Sequence, residues 1–214
     1  MKIFTLLALF LLSSCAGYQF RYQNNPFAAY GINSIAIPNF LNKSLVPNAS
    51  TPFTESISSV LSQNTTLKIH SGNSTRADAT LIGIISSLDR KSSFNQTTGR
   101  TLIEDRGGRR DFYAPNQTSY KMTLNIILIK KPTQLDLQLI NKDFLPYLDK
   151  HPKVVFSKVI NLSTSYTRFL SLSSGPNGAG VTNATQNREI FNKSVESLAS
   201  SAGSTFRETV LNAF

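Results

Sequence analysis

Cysteine and histidine are scarce in this 214-residue chain, which has one Cys, Cys15, and two His, His70 and His151. A single cysteine excludes a disulfide within the chain and any thiolate cluster of the kind that holds structural zinc. Neither histidine stands at metal-ligand spacing from another His, Asp or Glu, so no metal site is expected. There is no Gly-x-Ser-x-Gly elbow and no Walker loop. The glycine-rich stretch Gly175 to Gly180 lacks the lysine that would follow in a phosphate cradle, and reads as a flexible loop. Glu104 and Asp105 are adjacent, so on a strand they point to opposite faces and cannot share a substrate. A protein without catalytic residues or cofactor is the expectation.

Acidic residues are also few. Twelve Asp and Glu face twenty-two Lys and Arg, a formal charge of +10. A balance of that size suits a polyanion: nucleic acid, an anionic membrane surface or an anionic glycolipid. Long apolar runs are missing as well, apart from Ile3 to Leu12. That run of roughly ten residues is too short to span a bilayer, which takes about 20.

What the run does have is context. Lys2 supplies a positive n-region before it, and Leu12-Ser13-Ser14-Cys15 follows. This arrangement resembles the bacterial lipobox, in which the cysteine thiol is diacylated, the preceding peptide bond is cut and the new amino terminus is acylated in turn. Residues 1–14 are then a lipoprotein signal peptide and Cys15 carries the lipid anchor. Two or three acyl chains hold stably where one is marginal, because each buried methylene contributes about 0.8 kcal/mol. Export removes nucleic acid from the candidate partners. Ala16 is not the aspartate that retains many enterobacterial lipoproteins at the inner membrane, and by that resemblance the location is the outer membrane, on its periplasmic side. The nine Asn-x-Ser/Thr sequons are read as an accident of an Asn-, Ser- and Thr-rich composition.

Residues 15–30 read as a lipidated tether, and residues 31–214 as one domain, with enough chain for a sizeable core. Ile32 to Ile37 is β-branched, mostly apolar and closed by Pro38, as in a short buried strand. Thr51-Pro52 opens a helix whose apolar face carries Phe53, Ile57, Val60 and Leu61, with Glu55 in the first turn and an end near Gln63 or Asn64. Leu67 to His70 is a candidate short strand. Ala79 to Leu88 is apolar on both faces, which predicts a central strand. Tyr120 to Leu128 alternates cleanly, as a half-buried antiparallel strand does, and Val154 to Tyr166 supplies a last strand interrupted by Lys158. Asn183 with Gln186 resembles a capping box, after which Phe191, Val195, Leu198, Ala202, Phe206, Val210 and Phe214 recur at helical spacing. Gly203 in that helix predicts a kink or a close approach to the sheet. Asn39 to Ser50 and Lys130 to Pro152 read as polar or charged connections. The sum is an α+β two-layer sandwich, with two helices packed on one face of a mainly antiparallel four-stranded sheet and the other face free.

Between the central strands, Asp89 to Asn116 is polar and basic, and Arg106-Gly107-Gly108-Arg109 carries a hairpin-turn signal. A protruding arm is expected, with strands near Arg100 to Arg106 and Arg109 to Tyr113. Arg100, Arg106, Arg109 and Arg110 on it suit phosphate, which guanidinium groups bind bidentately.

Several stretches, in order after the lipobox, resemble the lipopolysaccharide-assembly lipoproteins, the LptE family. They are Cys15-Ala16-Gly17-Tyr18-Gln19-Phe20, Ile35-Ala36-Ile37-Pro38-Asn39-Phe40, Asp78-Ala79-Thr80-Leu81-Ile82-Gly83, Tyr120-Lys121-Met122-Thr123-Leu124 and Asn187-Arg188-Glu189. The resemblance implies a two-helix, four-strand sandwich that plugs the large outer-membrane β-barrel LptD, promotes its assembly and binds lipopolysaccharide for insertion into the outer leaflet. It places a lipopolysaccharide-binding basic residue on the loop before the third strand, where this chain has Arg100, Arg106, Arg109 and Arg110. Val181 to Gln186 is polar where the family has a second basic position. The first-strand stretch also resembles periplasmic interaction lipoproteins that activate a peptidoglycan synthase or form part of a secretion apparatus.

Overall fold

The computed structural model describes residues 25–64, 66–74, 76–87, 95–103, 112–141, 151–171, 181–182 and 184–211. Among them run β1 (Ser34–Ile37), β2 (Leu41–Lys43), α1 (Ser50–Asn64), β3 (Lys68–Ser71), β4 (Ala79–Ser87), β5 (Asn95–Ile103), β6 (Phe112–Lys130), α2 (Gln134–Asn141), β7 (Val154–Thr167), β8 (Leu170–Ser171), β9 (Val181–Thr182) and α3 (Ala184–Phe206). Strands β1 to β7 form one sheet, and β8 pairs with β9 apart from it.

The α+β class holds, with helices α1 and α3 together on one face. The sheet is larger and more mixed than the sequence suggests. Seven strands belong to it among the described residues. The pairings β1–β3, β1–β4 and β2–β4 are parallel, and β4–β6, β5–β6 and β6–β7 are antiparallel. Strand β6 is the axis. Its Met122 to Lys130 half pairs with β4, its Phe112 to Tyr120 half pairs with β5, and β7 spans the junction on the opposite edge by pairing with Gln117 to Ile129. Across that junction β6 advances two residues, from Met122 to Tyr120, while the facing chain advances from Ser87 to Asn95.

The main core lies between helices and sheet. From α1 come Phe53, Ile57 and Leu61, from α3 Val195, Leu198, Ala202 and Phe206, and from the sheet Leu81, Ile85, Leu124, Ile126 and Leu128, all buried. Their spacing follows the two periods, three or four residues on the helices and two on the strands. Glu55, placed in the first helical turn by the sequence, stands beyond it because the helix starts at Ser50. The folded chain begins before residue 31: Phe27 has no exposed surface and stacks on Phe156 at 5.7 Å, so the tether expected to reach Tyr30 is already core at Phe27.

The second face of the sheet is not bare. Ile82, Ile84, Ile127 and Ile129 cluster there, covered by Leu41 and by Leu137 of α2. The excursion after Lys130 thus contributes a helix where the sequence predicts only a charged connection. Asp136 fixes it: its Oδ2 accepts from the Thr133 N–H at 2.7 Å, and its own N–H donates to Thr133 Oγ1 at 3.2 Å, a reciprocal cap. Lys153 Nζ donates to the same carboxylate at 3.0 Å, and His151 Nε2 lies 3.7 Å from Oδ1. The Thr133 N–H foremost, with Lys153, lowers the Asp136 pKa to about 2.

Candidate functional site

The arm predicted from sequence is present and longer than expected. Ile103 pairs with Phe112, and β5 runs beside β6 back to Asn95 and Tyr120. Support from β7 stops earlier, because its last partner is Gln117, opposite Thr167, and the Arg168 N–H closes the ladder on the Asn116 carbonyl at 2.6 Å. Beyond Asn116 the two strands continue as a two-stranded ribbon for about 14 Å, at ~3.4 Å per residue. A pairing irregularity falls on either side of Gly99, at the root of this ribbon. Such bulges bend a strand and re-aim its side chains.

Arg100 follows that irregularity, is exposed, and stands opposite Pro115. Arg106, Arg109 and Arg110 lie between the paired ends Ile103 and Phe112, outside the described residues, as does Cys15. The same holds for Glu104, Asp105, the Gly175 to Gly180 loop, Asn183 and Phe214. Arg100 is therefore the one predicted site residue that the structure positions. Gln117, Ser119 and Lys121 of β6 lie on the sheet face away from α1 and α3, and the pairing irregularity at Gly99 separates Arg100 from that row.

That outer face becomes polar away from α2. Ser86 and Thr123 hydroxyls meet at 2.6 Å, and Lys121, Asn161, Ser163 and Ser165 are exposed on it. Hydroxyls and cations in this arrangement can hold phosphorylated sugars. Nothing in the composition singles out this surface; it emerges only when β6 and β7 are paired.

Carboxylates elsewhere hold structure together. Asp78 Oδ2 accepts from the Asn33 and Ser34 N–H groups at 3.0 Å each and from Ser34 Oγ at 2.9 Å, which lowers its pKa and joins the start of β1 to the start of β4. A cleft of about 490 Å³ opens beside it, rimmed by Arg76, Lys131 and Gln134. Among the described residues Asp78 is the only carboxylate lining it, and it is engaged by the Asn33 and Ser34 donors. Tyr120 OH, whose pKa is raised by burial, shares a hydrogen bond with Ser194 Oγ at 2.9 Å, and the ring packs with Tyr166 and Phe191. His70 lies on β3 opposite Ala36. Among the described residues no three His, Cys, Asp or Glu gather closely enough to hold a metal ion, and no helix is long and apolar enough to cross a membrane.

No family model matches this chain, and no curated protein is similar to it in sequence. Among solved structures, rare lipoprotein B from Shewanella oneidensis is similar with a TM-score of 0.37 and 8% identity, over 85% of this chain and 96% of that one. The PelC dodecamer from Paraburkholderia phytofirmans gives 0.34 and 10%, over 79% and 84%. A lipoprotein from Neisseria meningitidis gives 0.33 and 11%, over 78% and 97%.

Proposed function

We propose that this chain is an outer-membrane lipoprotein, anchored through Cys15, that plugs and helps to assemble an LptD-type β-barrel and binds lipopolysaccharide for insertion into the outer leaflet. It does so without catalysis, as a binding and positioning protein. The observation that carries the reading is the ribbon of β5 and β6, which continues past the end of β7 as far as the pair Ile103 and Phe112, the two residues that flank Arg106, Arg109 and Arg110 in the sequence. Guanidinium groups bind phosphate bidentately, and this stretch supplies three of them besides Arg100. The lipobox at Leu12 to Cys15 and the ordered resemblance to the LptE family supply the compartment and the ligand class.

Depleting the protein and measuring lipopolysaccharide at the cell surface tests this directly. The expected result is loss of surface lipopolysaccharide, with a large β-barrel protein co-purifying from detergent extracts of undepleted cells. Normal surface lipopolysaccharide together with a co-purifying peptidoglycan synthase would overturn the reading in favour of a periplasmic interaction lipoprotein.

A further inference from the structure

We infer that the outer edge of β7 is a strand-addition site for an extended, carboxylate-bearing segment of a partner protein. The inference goes beyond lipid binding and does not depend on it. The ladder fixes which amides face outward. The Arg168 N–H donates to the Asn116 carbonyl and the Lys130 N–H to the Lys153 carbonyl, whereas the Lys131 N–H donates to Asp78 on the other side of β6. Even-numbered residues of β6 therefore face β7, and odd-numbered ones face β4. Through the register Gln117↔Thr167 to Leu128↔Phe156, even-numbered residues of β7 face β6. Ser157, Val159, Asn161, Ser163, Ser165 and Thr167 thus direct their N–H and C=O groups away from the sheet.

Among the described residues no backbone group pairs with this edge. From Val159 to Thr167 every outward residue is exposed, and Val159 is 53% exposed. Edges are normally blunted by proline, lysine, a bulge or a short strand. Here the register is unbroken from Phe156 to Thr167, no proline intervenes, and the outward residues are small and uncharged. Lys158 sits on the opposite face. Of the other edge strands among the described residues, β3 has four residues and β2 three, and the pairing of β5 is irregular on either side of Gly99. The open stretch is about 34 Å long at ~3.4 Å per residue.

Charge selects the occupant. Neither β6 nor β7 contains an Asp or Glu, while Lys121, Lys130 and Lys158 lie on them and Arg168 follows. A second copy would bring another chain of +10 against the first. An incoming strand with Glu or Asp is complementary, its main chain supplying affinity and its alternate side chains specificity.

The test uses the full mature chain in detergent and a ten-residue peptide of Val and Thr alternating with Glu, followed by amide hydrogen exchange. In the free protein the Val159, Asn161, Ser163 and Ser165 amides should exchange fast while those of Ile160, Leu162 and Thr164 are slow. Peptide should slow the first set at least tenfold. Asn161→Pro and Ser163→Pro each remove one outward N–H and should weaken peptide binding at least tenfold. Should either proline unfold the strand, Lys121→Glu with Lys158→Glu serves instead, and should weaken the Glu peptide while sparing one with Lys in its place. Slow exchange of the first set in the free monomer, protection that rises with protein concentration and a doubled mass, no protection by peptide, or equal binding of Glu and Lys peptides would each overturn the inference.

Discussion

Ser56 Oγ occupies the space a side chain at Gly203 would need. A Cβ there would lie 2.5 Å from that oxygen and 3.2 Å from Val60 Cγ2, while the hydroxyl donates to the Ala199 carbonyl at 2.7 Å. The glycine is thus the point where α3 touches α1. Alanine would gain about 1 kcal/mol of helix propensity but force the helices apart, at a cost of about 1–3 kcal/mol. Gly203→Ala is expected to lower the urea midpoint, and Ser56→Gly in the same chain to restore most of it. A Gly203→Ala variant more stable than the parent would show that the helices can separate freely.

A second glycine supports a larger side chain. A Cβ on Gly83 would clash with the ring carbons of Phe40, which is buried against β4. Gly83→Ala should therefore destabilise by about 2–4 kcal/mol, in the range of overpacked or vacated aromatic sites. Phe40→Leu added to Gly83→Ala should recover part of that loss in equilibrium unfolding.

Acid should release α2 before the rest of the domain. The Asp136 pKa falls from 3.8 to about 2 on folding, so its contribution is fully present above the unfolded value and is lost as pH falls through the folded one. Between about pH 4 and pH 2 the amides of Asp136 and Leu137 should lose protection, while the β4 amides stay slow. Asp136→Asn should show that loss already at pH 7.

The proposed lipid attachment rests on the Cys15 thiol alone. Cys15→Ala is expected to move it from the membrane fraction to the soluble fraction of lysed cells. Persistence in the membrane would assign retention to the protein surface instead.

Charge reversal on the arm separates a ligand site from a solvated loop. Arg106→Glu, Arg109→Glu and Arg110→Glu together should weaken lipopolysaccharide binding at least tenfold at low salt. The difference should shrink as ionic strength rises, because exposed charges are screened over about 10 Å at 0.1 M. Thermal unfolding should be unchanged, since the triple variant leaves the residues of the main core as they are.

Regular elements with strong periodicity are legible in the order of residues alone. The continuous apolar run after Asp78 places β4 inside the sheet, and the alternation in Tyr120 to Leu128 marks β6 as an antiparallel strand, as observed; that β6 is the axis of the sheet was not legible there. The Phe53, Ile57, Leu61 stripe and the longer stripe from Phe191 give α1 and α3 and the face each buries. A period fixes which side of an element is apolar. Periodicity does not say which strand lies beside which. Only the tertiary structure decided that β1 and β2 both lie parallel along one edge of β4, because three residues such as Leu41 to Lys43 have too little pattern to declare a strand. It also decided that α2 covers the outer face through Leu137, since an eight-residue helix held by Asp136 and Lys153 is stabilised by contacts distant in sequence. The neighbour of Gly203 proved to be Ser56 rather than the sheet, for the same reason. The open edge of β7 is likewise a property of the fold, because a strand is an edge only by virtue of what does not pair with it.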